Sequence, residues 1–166
     1  MNWWRTRSTR GRDGIICDGA VRSGKSSCMA LSFALWGLTS FGSVSSFGMC
    51  GKTIVSLRRN VIAPLVRQLG ELGCVVKEVR SKNMLEVTLG KSRSIIYLFG
   101  GKDEGSASLI QGITLSGVFL DEVALMPRSF VEQAIARCSV KGSKLWFNCN
   151  PDNPYHWFKK EWIDKA

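Results

Sequence analysis

Gly19-Ala20-Val21-Arg22-Ser23-Gly24-Lys25-Ser26 is the stretch on which the reading of the fold turns. It fits G-x-x-x-x-G-K-[ST], a loop whose backbone N–H groups cradle phosphates. A short apolar run, Gly14-Ile15-Ile16-Cys17, precedes it, and a helix-like stretch from Ser27 to Leu38 follows. Strand, loop and helix in that order are the context the pattern requires. The glycines let the backbone turn sharply and aim its N–H groups inward. The helix behind adds its positive N-terminal end. Lys25 is placed to reach the β- and γ-phosphates, and the Ser26 hydroxyl to bind Mg²⁺. Gly19 through Ser27 is therefore the expected nucleotide-binding set. The competing reading is an ordinary glycine turn ahead of a helix.

Around this stretch, short β-like runs alternate with helical ones, the signature of a mostly parallel sheet with crossover helices. Strands are expected at about 14–17, 52–57, 74–79, 117–120 and 144–147. Helices are expected at about 25–38, 61–72, 104–111, 127–139 and 155–165. Pro64 falls in the first turn of the second helix, where proline is tolerated. A Gly/Ser-rich stretch, Thr39 to Gly48, reads as a long mobile loop. Met84 to Leu89 and Ser94 to Phe99, joined by Gly90-Lys91-Ser92-Arg93, read as an antiparallel hairpin.

The chain has 166 residues and 45% apolar content, enough for one domain with a real core. It contains no run of about 18 apolar residues and no basic-then-apolar leader, which gives the expectation of a cytosolic location. The six cysteines form no C-x-x-C pair and mostly sit in apolar stretches, as reduced, buried thiols do. With His156 the only histidine, a zinc site is disfavoured. The net charge of +10 suits a polyanion, nucleic acid above all. The dense cluster Arg5, Arg7, Arg10 and Arg12 either touches DNA or is a solvated arm.

Val118-Phe119-Leu120-Asp121-Glu122 is an apolar strand ending in two acids. Delivered beside the phosphate loop, Asp121 would share the Mg²⁺ shell with Ser26. Glu122 would orient and deprotonate a water for attack on the γ-phosphate. A kinase must exclude such a water, so the second acid argues for hydrolysis. Further on, Leu145-Trp146-Phe147 ends in Asn148-Cys149-Asn150-Pro151. An amide there can bond the γ-phosphate or the attacking water and register its loss; the alternative is turn chemistry.

Loop, acid pair and polar sensor follow the order of ring and helicase-like ATPases, and the resemblance narrows from there. Four stretches resemble the ATPase domain of a tailed-phage terminase large subunit: Gly19–Ser26, Gln111–Leu115, Phe119–Pro127 and Asn148–Phe158. They span nearly the whole chain in the family's order. The resemblance implies an α/β P-loop NTPase fold of the RecA/ASCE type: a three-layer sandwich whose mostly parallel sheet carries the antiparallel hairpin. It implies Mg²⁺-dependent ATP hydrolysis driving double-stranded DNA into an empty capsid. By position, Lys25 and Ser26 match the phosphate and metal contacts, Asp121 the metal carboxylate and Glu122 the catalytic one. Asn148 and Asn150 match the coupling segment. Arg22 matches a position often basic in terminases and would lie on the phosphates, unless it is a surface charge.

The implied partners are double-stranded DNA, the portal protein, a small terminase subunit and further copies in a ring, with no membrane. The implied place is the cytoplasm of the infected host, at the procapsid portal. Residues 1–166 would be a single ATPase domain with 1–13 as a basic arm. The nuclease domain usual in such terminases is absent from this stretch, so no DNA cutting is expected of it. Adenine contacts expected near the N-terminus do not match Trp3, Trp4 or Arg5 clearly, and the tryptophans read equally well as a packing patch. A neighbour's arginine usually completes such motors; Arg58, Arg59, Arg80, Arg128 and Arg137 are the candidates. Other readings are a helicase or recombinase core, a small nucleotide kinase, and a non-catalytic DNA-binding or assembly module.

Overall fold

The computed structural model describes residues 2–7, 11–19, 24–150 and 155–166, Glu104 by its backbone alone. In chain order the main elements are β1 (Gly14–Asp18), α1 (Lys25–Ser40), β2 (Ser45–Gly51), α2 (Ile54–Leu57), α3 (Ala63–Glu71), β3 (Val75–Val79), β4 (Met84–Leu89), β5 (Ser92–Gly100), α4 (Glu104–Gln111), β6 (Gly117–Leu120), α5 (Arg128–Ala136) and β7 (Lys144–Cys149). The seven strands form one sheet in the order β1-β7-β6-β2-β5-β4-β3. The first five are parallel. The expected hairpin is β4–β5, and β3 adds to it antiparallel.

Alternation along the strands splits the core in two. Phe119 and Trp146 point to the α1 side, whereas Val118, Leu120 and Phe147 point to the side of α4 and α5. On the α1 side Trp146 lies 4.7 Å from Trp36 and 5.1 Å, edge-on, from Phe33. On the other side Phe147 meets Phe158 and Trp162, each at 5.2 Å. Helices on both faces of a largely parallel sheet make the expected three-layer sandwich.

The second expected strand is misplaced. Residues 45–51, with 45–48 read as part of a loop, form β2 at the centre of the sheet, between β5 and β6. Its small residues answer to crowding: a Cβ on Gly48 would lie 3.1 Å from Leu115 and 3.3 Å from Val118. The connection from α1 is thus only residues 41–44. Ile54-Val55-Ser56-Leu57, read as strand, is helical because Thr53 caps it: its Oγ1 accepts from the Ser56 N–H at 3.1 Å. Helical backbone then continues to Glu71 through a π-helical stretch, Arg58–Ile62. Pro64 explains that stretch. Having no N–H, it cannot serve the carbonyl four residues back, and its ring crowds that carbonyl. The ladder slips by one residue instead, so Ala63 N–H donates to the Arg58 carbonyl.

All six cysteines are free thiols. Cys50, Cys74 and Cys149 are buried as expected, but Cys28 is exposed near the start of α1. Burial pushes the Cys138 thiol up to about 12.

Candidate nucleotide-binding and catalytic site

The parallel strands bring the sequence-distant motifs to one edge of the sheet. β7 lies between β1, which leads into the phosphate loop, and β6, which ends at Asp121. Gly19 and Gly24 flank the loop at φ +148° and +75°, backbone regions that L side chains avoid. Gly24 is also the residue from which α1 starts. Ala20, Val21, Arg22 and Ser23 lie outside the described residues, and with them the expected Arg22 contact.

Ser26, Asp121 and Asn148 meet directly. The Ser26 hydroxyl donates to Asp121 Oδ1 at 2.8 Å. Asn148 Nδ2 donates to the same Asp121 oxygen at 2.6 Å and to Ser26 Oγ at 2.7 Å. Asp121 and Asn148 are only 6% and 5% exposed. The second Asn148 group, Oδ1, is buried with no hydrogen-bond partner among the described residues. Buried acceptors normally find a donor, and leaving one unmet costs about 1–3 kcal/mol. The Lys25 ammonium donates to the carbonyls of Gly19 and, at 3.1 Å, Cys149. It therefore spans from the loop to the end of β7. Asn150 lies half-buried beyond that strand and, among the described residues, makes no hydrogen bond to the cluster.

Glu122 follows Asp121 with φ +54° and ψ +48°, a left-handed backbone rare for a residue with a long side chain. It opens a 3₁₀ turn, Val123–Leu125, in which Leu125 N–H donates to its carbonyl at 2.9 Å. Burial, and then the Asp121 charge, raise the Glu122 carboxyl above its ordinary value, while Lys52 opposes them. Strained backbone of this kind concentrates where a side chain is aimed for function.

Two further residues border the site without having been anticipated. Lys52 follows β2, whose register sets Cys50 opposite Leu120 and so brings Lys52 to Glu122. Its backbone is held on both sides: Asp121 N–H donates to the Cys50 carbonyl at 2.8 Å, and Lys102 N–H to the Lys52 carbonyl at 3.0 Å. Correct placement of β2 would have revealed it. Gln68, on α3, donates through Nε2 to Ser27 Oγ at 3.1 Å. The Ser27 hydroxyl is thus committed to α3, and no motif signals that pairing.

Four of the five candidate arginines are engaged within the chain. Arg58 bonds Asn83 Oδ1 at 3.0 Å, Arg80 pairs with Glu78, Arg128 with Glu132 and Glu161, and Arg137 with the Gln111 carbonyl. Among the described residues Arg59 bonds only its neighbour Asn60, at 3.3 Å. Trp3 and Trp4 are packing residues, 5.0 and 6.0 Å from Trp146.

Hard oxygen donors at Ser26 and Asp121, a lysine beside them and a buried amide oxygen in want of a donor fit a metal-bound nucleotide with its water. The family model described as terminase large subunit, T4likevirus-type, N-terminal, matches residues 16–166. The large terminase of a thermophilic bacteriophage is 57% identical with a TM-score of 0.93, the match covering 98% of this chain and 40% of that one. The same terminase in complex with ATP-gamma-S matches at 54% identity and a TM-score of 0.89, over 99% of this chain and 39% of that one. The large terminase of bacteriophage HK97, at 16% identity and a TM-score of 0.71 over 93% of this chain and 32% of that one, shows the shared fold alone. This chain thus spans about 40% of the length of the thermophilic phage's terminase. No curated protein matches it. With phosphate loop, acid pair and strand-end asparagine meeting at one sheet edge, and a family match running from Ile16 to Ala166, the chain belongs to the terminase large-subunit family.

Proposed function

We propose that residues 1–166 form a single ATPase domain, residues 1–13 being its basic arm, that hydrolyses ATP to drive double-stranded DNA into a phage procapsid. The observation that carries this reading is the contact of Ser26, Asp121 and Asn148 beside Glu122. Gly19 to Ser27 would cradle the phosphates, with Arg22 lying on them and Lys25 exchanging its two carbonyls for phosphate oxygens. Ser26 and Asp121 would hold Mg²⁺, which supplies charge neutralisation at the β- and γ-phosphates.

Glu122 takes the proton of the attacking water as its oxygen bonds to the γ-phosphorus. The bond from that phosphorus to the β-phosphate oxygen breaks, and ADP leaves with the electron pair. Lys52 keeps the Glu122 carboxylate available by offsetting the Asp121 charge. Asn148, through its unmet Oδ1, holds the water, and with Asn150 passes the loss of the γ-phosphate along β7. Arg59, held by no other element among the described residues, is the arginine we assign to a neighbouring copy.

The setting proposed is a ring of copies at the portal in the infected host's cytoplasm, with a small terminase subunit as a further partner. Among the described residues no helix is long and apolar enough to cross a membrane. The test is steady-state phosphate release from Mg-ATP, with and without duplex DNA, for wild type and Glu122→Gln. DNA-stimulated release that the substitution removes is the expected result; release unaltered by it removes Glu122 from the base role.

A further inference from the structure

The edge of the sheet opposite the phosphate loop carries a different kind of chemistry. Here the strands begin, and the N-terminal segment is fastened to them at both ends. Trp3, 7% exposed, sits edge-on to Trp146 at 5.0 Å, and Trp4 lies 6.0 Å from the same ring. Farther along, Lys144 Nζ donates to the Arg12 carbonyl at 2.6 Å, and Leu145 N–H to the Asp13 carbonyl at 2.8 Å. Lys144 also lies over the Trp3 ring, 5.2 Å from its centroid. Segment and strand are thus stapled at the start of β7.

The stapling presents Arg5, Arg7 and Arg12 to solvent. Lys141 joins them from the turn that feeds β7, whose shape is held by Ser143 N–H on the Val140 carbonyl at 2.9 Å. None of the four has an ion pair among the described residues, whereas Arg58, Arg80, Arg93, Arg128 and Lys159 elsewhere all do. Among the described residues the acids near them are Asp13 and Glu161, which lines the same cavity as Arg12 and is already paired with Arg128. Cations on an anchored backbone, three of them guanidinium groups suited to phosphate, lose little entropy on meeting a polyanion.

We propose that Arg5, Arg7, Arg12 and Lys141 form a contact surface for the phosphate backbone of double-stranded DNA. Only the identity of the polyanion rests on the packaging reading; the surface itself rests on placement and charge. Because phosphate contacts release counterions, each makes binding salt-dependent in a countable way, the logarithmic slope changing by about 0.9 per contact. The surface reads no base edges, so the binding it gives is independent of sequence.

The experiment replaces all four residues by glutamine and measures binding of a random-sequence duplex between about 50 and about 200 mM salt. A charge-matched variant carries glutamine at Lys77, Arg80, Lys82 and Lys91 instead. Over that range the wild type should lose about a hundredfold more affinity than the first variant, a slope smaller by about 3 to 4. The charge-matched variant should keep the wild-type slope. An unchanged slope in the first variant, or an equal loss in the second, overturns the proposal. So does competition by polyglutamate as effective as that by duplex, which would mark an acidic protein as the partner. Phosphate release without DNA, measured on the same samples, separates the two readings. Release retained with an unchanged slope rejects the surface alone; absence of both release and duplex binding rejects the packaging reading with it.

Discussion

The two ends of the sheet handle charge in opposite ways. At the carboxyl end Asp121 and Asn148 are almost fully buried and bonded to Ser26 and to each other. At the amino end the cations stand in solvent on a pinned backbone. Dehydrated polar groups act over one bond length and are insensitive to salt; exposed cations act over about a Debye length and are not. On this reading, one sheet separates a step that needs geometry from a contact that needs only charge, with β7 reaching both.

The largest expected effect falls wholly at the carboxyl end. Glu122→Gln should lower turnover by about 10²–10⁴-fold while nucleotide and duplex binding persist; a matching loss of duplex binding would break the separation. Next is Lys25→Ala. Removing charge-assisted bonds of about 1.5–3 kcal/mol each should weaken nucleotide affinity about tenfold to a hundredfold, read by titration with a fluorescent nucleotide, with the DNA salt slope unchanged. Asn148→Leu should cost about 1–3 kcal/mol of stability, because Asp121 stays buried with a partner removed. Thermal melting measures it, and an unaltered melting temperature would mean that the buried triangle is not a structural element as well.

The smallest effect is a shift with pH. The Glu122 base must be ionised, so hydrolysis falls as pH drops through its raised value. Lys52→Met removes the opposing charge and should move that acid limb to higher pH, leaving turnover well above the limb little changed. The same sign predicts that Glu122→Gln raises the melting temperature at neutral pH, since a neutral amide escapes both the desolvation and the Asp121 repulsion.

Much of this was legible because the motifs depend on local spacing. Gly14 to Ser26, Val118 to Glu122 and Leu145 to Asn148 each read as a strand with a polar end, and their parallel pairing follows. β2 was not legible because its signal is inverted. Gly48 is small where Leu115 and Val118 press against it, so a packing requirement looks like loop composition. The adjoining Ile54–Leu57 looks β-branched, yet Thr53 commits it to helix. That double misreading hid Lys52. Gln68 was hidden for another reason: its bond to Ser27 crosses from α3 to α1, and nothing in either local sequence encodes the meeting.

The tryptophan arrangement around β7 has an optical consequence. Trp36 and Trp146, their rings 4.7 Å apart, with Trp3 and Trp4 within 6.0 Å of Trp146, are close enough to exchange excitation before they emit. Their near-ultraviolet circular dichroism should carry a coupled band rather than separate ones. Since Trp3 and Trp4 belong to the N-terminal segment, that band is an intrinsic probe of its seating. Release of the segment would withdraw Trp3 and Trp4 from that coupling and shift their emission to the red, with no label attached.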